Sequence, residues 1–370
     1  MKKSLVALAA LAFVGVASAQ SSVTLFGVVD AAYEHVSGSA LGGNVNGLVQ
    51  GANSSSRIGF RGTEDLGGGL NAGFWLESAL NNDSGSMGTT NTNNQANGGT
   101  GGGGLTFGRR STVSLAGNFG EIRLGRDYTP SFWNDTYFDP FGTVGVGAAT
   151  NSTIALGGAN GVATLVRSSN SIGYFLPGNL GGFYGQVMYA MGENSSTATA
   201  GGFDTSKNGN VWGLRAGYAN GPLNVAAAYS ETKIAALDDY KKTNIGASYD
   251  LGVVALMGEY NEEKLGNVGA LGAKKNSTWL LGLNAPVGPG NIVASYNRTK
   301  FDNDSVKADQ YALGYVYNLS KRTALYGTYA HVKNKGTLGN VTAGALAANA
   351  GASGIIGNSN GIDIGLRHTF

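Results

Sequence analysis

Gly361-Ile-Asp-Ile-Gly-Leu-Arg-His-Thr-Phe370 alternates apolar and polar residues along one ribbon. Ile362, Ile364, Leu366 and Phe370 share one parity, and Asp363, Arg367 and Thr369 share the other. Side chains alternate faces along a strand, so this segment has one apolar and one polar face. A soluble sheet explains the alternation but not a final strand that ends on an aromatic. A closed barrel in a bilayer explains both: its last strand pairs with its first, and the apolar row meets lipid.

The chain has 370 residues, no Cys, 62 Gly and only 6 Pro, and 13% of it is charged. Without Cys, stability comes from strand pairing rather than disulfides. Collagen would need far more Pro and a strict three-residue Gly period, so the Gly content has another cause. The formal charge of +2 disappears once Lys2 and Lys3 are set aside, leaving 23 basic against 23 acidic residues. No global field attracts nucleic acid, so any electrostatics that matter are local.

Residues 1–19 read as a secretory leader. Lys2 and Lys3 are the basic start, Leu5 to Val16 the apolar stretch and Ala17-Ser18-Ala19 the cleavage site. Residues 20–370 form the mature unit. The apolar stretch is shorter than the ~20 residues that span a bilayer, and no other stretch approaches that length.

Sixteen strands follow, with beginnings expected near Ser22, Ser55, Leu70, Leu105, Glu121, Arg167, Gly182, Gly209, Leu223, Lys242, Val253, Asn276, Asn291, Asp309, Thr323 and Gly361. Short turns such as Asn220-Gly-Pro222 and Asp250-Leu-Gly252 alternate with long loops rich in Gly, Asn, Ser and Thr. An even strand count, with short turns at one end and long loops at the other, is the pattern of a transmembrane barrel. The fold class expected is therefore all-β, a 16-stranded antiparallel transmembrane β-barrel with an aqueous lumen. Gly59, Gly73, Gly213, Gly246, Gly282 and Gly314 fall inside strands, where bent walls or close packing against a loop would use them.

Ser56-Arg-Ile-Gly-Phe-Arg-Gly62 with Glu64-Asp-Leu66, Gly125-Arg-Asp-Tyr128, the start Val23-Thr-Leu-Phe-Gly-Val-Val-Asp30 and the terminal Phe370 together resemble general bacterial porins. The chain is most similar to the beta-proteobacterial Gram-negative type. That resemblance implies an outer-membrane homotrimer of water-filled barrels for passive passage of ions and small hydrophilic solutes. It implies surroundings of membrane lipid and lipopolysaccharide, and recognition of Phe370 by the barrel-assembly machinery. It also implies that the third long loop, about 128–166, folds into the lumen. Phe132, Trp133, Tyr137, Phe138 and Phe141 on that loop are poor residues for a free loop in water. Where many porins have Pro-Glu-Phe-Gly-Gly, this chain has Asp139-Pro-Phe-Gly142, without the Glu.

Parity turns Arg57, Arg61 and Arg167 toward the lumen. It turns Arg110 inward and Arg109 to the lipid side or rim, although so near a strand end this choice stays open. Arg126 shares parity with Ile122 and Leu124, but a bulge at the strand end could re-aim it, and the resemblance places it in the basic wall. Asp135 and Asp139 are the loop acids expected opposite. Basic groups outnumbering acids around a narrow aqueous gap predict a preference for anions.

The three His, at 35, 331 and 368, show no nucleophile or metal-ligand spacing. The run Gly98-Gly-Thr-Gly-Gly-Gly-Gly104 lacks the Lys-Ser/Thr of a phosphate loop. No catalytic site, metal or cofactor is expected. A substrate-selective channel is the alternative within the same class, and a barrel hydrolase or adhesin the alternative outside it. The expected second-loop role, reaching toward a neighbouring subunit, also comes from the resemblance.

Overall fold

The computed structural model describes residues 22–38, 43–100, 104–269, 272–302, 307–335 and 357–370; the expected leader lies outside them. The wall strands are β1 Ser22–Gly38, β2 Arg57–Gly67, β3 Leu70–Asn81, β4 Arg110–Gly117, β5 Gly120–Tyr128 and β6 Arg167–Phe175. They continue as β7 Phe183–Ala190, β8 Val211–Asn220, β9 Leu223–Thr232, β10 Tyr240–Asp250 and β11 Ala255–Leu265. The last five are β12 Lys275–Val287, β13 Gly290–Phe301, β14 Lys307–Asn318, β15 Thr323–Lys335 and β16 Asn358–Thr369. Each is antiparallel to the next, and β16 returns to β1, from Val28 opposite Thr369 to Ser37 opposite Asn360. Just past that register, Gly27 and Phe370 exchange two backbone hydrogen bonds of 3.1 Å. The Phe370 ring fills the space that a side chain on Gly27 would need.

The strand expected from Leu105 begins instead at Arg110. Residues before it are held by the second loop, where the Thr106 hydroxyl donates to the Gly88 carbonyl at 2.5 Å. An additional strand, Gly43–Gln50, pairs with the upper half of β1. Nothing in its Gly- and Asn-rich sequence signals it.

The distribution of polarity is that of a water-soluble domain turned inside out. Outward residues such as Leu25, Leu281, Leu313 and Ile364 are exposed, whereas Asp30, Asn244, Asn297 and Gln310 are buried inside. In hydrocarbon only apolar side chains can face outward without loss. Outward aromatics form two belts: Trp212 with Tyr229, Tyr260 with Trp279 and Tyr296 with Tyr311 near the loop end, Phe183 with Tyr218 near the turn end. Trp75 is not among them: it lies inside, against Phe26.

The third loop, 129–166, runs along the inner wall. It contains the helix Pro130–Phe138 and two short helices, Thr150–Thr153 and Ala155–Ala159. Four strand glycines make room for it. Pro130 lies over Gly213, Phe138 over Gly246, Pro140 over Gly282 and Phe141 over Gly314. Polar wall residues then hold it. The Arg215 Nε donates to Asn134 Oδ1 at 2.5 Å, Gln310 Nε2 to the carbonyls of Gly147 and Ala148, and Asn276 Nδ2 to that of Ser152. Glu263 accepts from the backbone N–H groups of Leu156 and Gly157, and Asp363 from that of Val146 at 2.8 Å.

A side chain at Gly246 collides with the Phe138 ring. Gly246→Val is expected to cost about 1–3 kcal/mol of loop packing, the usual range for overpacking. Limited proteolysis should show the loop nicked faster than in the parent, with single-channel conductance altered while heat resistance of the barrel persists.

Candidate functional site

The wall not covered by the third loop, β2 to β6, carries the arginines. Arg57 and Arg61 on β2 are opposite in parity to Ile58 and Phe60, and both line an open pocket of about 510 Å³ on the lumen. Arg110 lines it too, and so does Arg109. Arg109 precedes its strand, so parity does not bind it. Its Nε donates to Glu77 Oε1 at 2.5 Å, and it reaches the Tyr128 hydroxyl at 3.5 Å. Arg167 meets that hydroxyl from the other side, at 3.1 Å. Arg57, Arg109 and Arg167 thus converge around Tyr128 and Glu77. Below them Arg123 donates to Glu121 at 2.8 Å and to Asp127 at 3.0 Å.

Aromatic faces hold several of these guanidiniums flat. Arg167 lies 4.6 Å from the Tyr128 ring centre, Arg110 4.6 Å and Arg61 5.2 Å from Trp75, and Arg123 3.8 Å from Phe175. Stacking of this kind orients a cation and leaves its charge in place.

Arg126 is a correction. Its parity with Ile122 and Leu124 prevails: the irregularity here falls on the partner strand β6, between Ser168 and Ser171, opposite Arg126. It donates to the carbonyls of Gly108 and Asn91 and, at 2.8 Å, to the Ser169 hydroxyl. It anchors the second loop instead of lining the lumen. That loop lies on its own barrel, with Asn94 bonded to the carbonyls of Ser169 and Met191 and Gln95 to Gly192 and Asn194.

The loop acids are a second correction. Asp135 is 1% exposed and Asp139 4% exposed, so neither confronts the arginines through water. Asp135 takes the Lys242 ammonium at 2.5 Å and Asn244 at 3.2 Å. Asp139 ties the loop to itself by accepting from the N–H groups of Phe141, Thr143 and Ala149. Burial pushes the Asp139 carboxyl up to about 6, against the pull of those three donors. The acids that do face the arginine wall are Glu77, Glu121 and Asp127, all on the wall itself. Parity with Glu121 and Asp127 could have revealed Arg123 from the sequence; Arg109 offered no such signal.

A family model described as Gram-negative porin matches residues 5–337. Outer membrane porin protein 32 of Delftia acidovorans is 40% identical over 380 residues, covering 100% of both chains. The solved anion-selective porin from Comamonas acidovorans is 37% identical with a TM-score of 0.77, covering 95% of this chain and 100% of that one. A trimer form of OmpT from Vibrio cholerae shares the fold alone, at 16% identity and a TM-score of 0.63 over 95% and 99% of the two chains.

Two expectations follow from the buried acids. Lys242→Met leaves Asp135 charged and unpaired in the interior and should destabilise by about 3–5 kcal/mol, measured by denaturant unfolding; adding Asp135→Leu should restore most of the loss. For Asp139, a raised carboxyl favours the packed loop when protonated. That contribution is complete below the ordinary value of 3.8 and lost as pH rises through about 6. Protease nicking within the third loop should therefore increase from pH 4 to pH 7, and Asp139→Asn should flatten the profile.

Proposed function

The chain belongs to the Gram-negative porin family, and on that premise we propose that its channel favours anions through the arginine wall of β2 to β6. It is a general diffusion porin of the bacterial outer membrane, passing ions and small hydrophilic solutes passively, and it is not an enzyme. The observation that carries the anion reading is an imbalance of water-accessible charge. Six arginines, Arg57, Arg61, Arg109, Arg110, Arg123 and Arg167, none of them buried, share the wall with one half-buried carboxylate, Glu121, while Glu77 and Asp127 are buried against Arg109 and Arg123. The remaining inward acids, among them Asp30, Glu259, Glu263 and Asp363, are buried, Glu263 and Asp363 where the third loop bonds to them. In a narrow gap with low-dielectric walls, the charge that touches water sets which ions are enriched. The name of the Comamonas acidovorans structure agrees with this reading.

The same reading takes residues 1–19 as an export leader and Phe370 as the residue presented to the assembly machinery. It also takes the assembly as a homotrimer that meets through the outward face of β1 to β7. No lysine occurs between Lys3 and Lys207, and lysine is depleted at protein interfaces.

Reversal potentials across a planar bilayer in a KCl gradient test the anion preference. The parent should show the sign of chloride permeation. Joint replacement of Arg57, Arg109 and Arg167 by Ala should bring the potential to zero or reverse it. A cation-selective parent channel would refute the reading.

A further inference from the structure

Past Lys3 every lysine falls between Lys207 and Lys335. Many of them stand at the loop end of β9 to β15, on the outward face above the aromatic belt. Part of this arc is matched by carboxylates. Lys233 bridges Glu231 and Asp239, Lys264 and Lys275 share Glu262, and Arg298 bonds Asp309, all between 2.5 and 2.7 Å. Glu231, Glu262 and Asp309 each also accept a belt hydroxyl, from Tyr229, Tyr260 and Tyr296.

Lys241, Lys264 and Lys275 also stand opposite one another, but Glu262 bonds two of them; Lys300, Lys307 and Lys335 form a second such row. Lys300 is directly opposite Lys307, and Lys307 is directly opposite Lys335. All three are exposed. Like charges placed across a sheet destabilise it. Among the described residues no carboxylate forms an ion pair with any of them, and residues 333–362 contain no Asp or Glu. Asp309 attracts Lys335 from a distance, but no bonded carboxylate offsets the row among the described residues.

On the same strands, toward the turn end, the outward surface has an apolar concavity of about 520 Å³ lined by Leu313, Tyr315, Gly327, Tyr329, Ile362 and Ile364. Gly327 leaves the space open: the nearest atom to a methyl placed there is the Asp363 carbonyl oxygen, at 3.8 Å. From Lys335 to Tyr329 is six residues, ~20 Å along a strand. At the usual ~40° tilt that is about 15 Å of depth, the hydrocarbon thickness of one leaflet.

We propose that this sector of β13 to β16 binds one phosphorylated, acylated lipid of the outer leaflet. Its phosphate sits on Lys300, Lys307 and Lys335, and one acyl chain ends in the groove at Gly327. A second copy of the chain fits less well, because a lysine row is a poor protein interface.

The test is titration of the purified protein in detergent with bisphosphorylated lipid A, its dephosphorylated form and inorganic phosphate, read by native mass spectrometry. The phosphorylated lipid should bind about tenfold or more tightly than the dephosphorylated one, since each lysine near a charged membrane surface adds severalfold. Joint Lys300→Gln, Lys307→Gln and Lys335→Gln should abolish that difference. Gly327→Leu should weaken both lipids while leaving the oligomer intact. Single-channel conductance should stay unchanged in every variant, which shows that the barrel has formed. Unchanged lipid binding in the triple variant would overturn the proposal. So would competition by inorganic phosphate at concentrations equal to the lipid, or a Gly327→Leu effect confined to oligomeric state.

Discussion

Hydrocarbon offers no hydrogen bonds, so every backbone N–H and C=O of a membrane-spanning strand must be satisfied by another strand. A sheet meets that demand only by closing on itself. The pairing of β1 with β16 is thus the condition for all the rest, and it continues through the two bonds between Gly27 and Phe370. Closure fixes parity around the ring. With parity fixed, alternate residues have no choice but lipid or lumen, and the lumen inherits the polar half of every strand. The interior cannot then be held by a continuous apolar core. The third loop is held by hydrogen bonds to Arg215, Asn244, Gln310 and Asp363, with small apolar contacts seated in gaps left by glycines.

That loop divides the lumen electrically. On its side, carboxylates are drawn to backbone N–H groups, as with Glu263 at Leu156 and Gly157, or to a buried ammonium, as with Asp135 at Lys242. These acids organise the loop, and their charge is used up locally. On the other side the guanidiniums lie on Tyr128, Trp75 and Phe175, which orient them, and they outnumber the carboxylates beside them. An overall composition of equal acids and bases therefore coexists with an aqueous surface that is unequal.

Most of the wall was legible in the amino-acid sequence because the period of two is enforced by lipid. Strand beginnings fall within a few residues of expectation at fifteen places and miss at Leu105, where loop contacts replace pairing. Strand glycines were legible as positions of close packing; what packs there was not, because Phe138 and Gly246 are far apart in sequence. Parity puts Arg57, Arg61 and Arg110 on the face where they line the pocket, and Arg167 on the face from which it reaches the Tyr128 hydroxyl. It read Arg126 correctly as outward, and the error came from setting that parity aside for a resemblance. Asp135 and Asp139 show a different limit. Acidic loop residues look solvent-facing in a sequence, and only tertiary structure reveals that Lys242 and three backbone donors surround them.

The two basic residue types divide by environment for a physical reason. A guanidinium is planar, weakly hydrated and always charged, so it can lie against an aromatic face in a confined lumen and still present charge to a passing ion. An ammonium is compact and strongly hydrated, and its flexible stem can cross apolar surface to reach the interface. Arg57 to Arg167 meet the first requirement inside the wall of β2 to β6. Lys300, Lys307 and Lys335 meet the second outside the wall of β13 to β15. One chain of balanced charge can thus offer two separate basic surfaces, one toward water in the pore and one toward the headgroups around it. Only closure of the strands keeps the two apart.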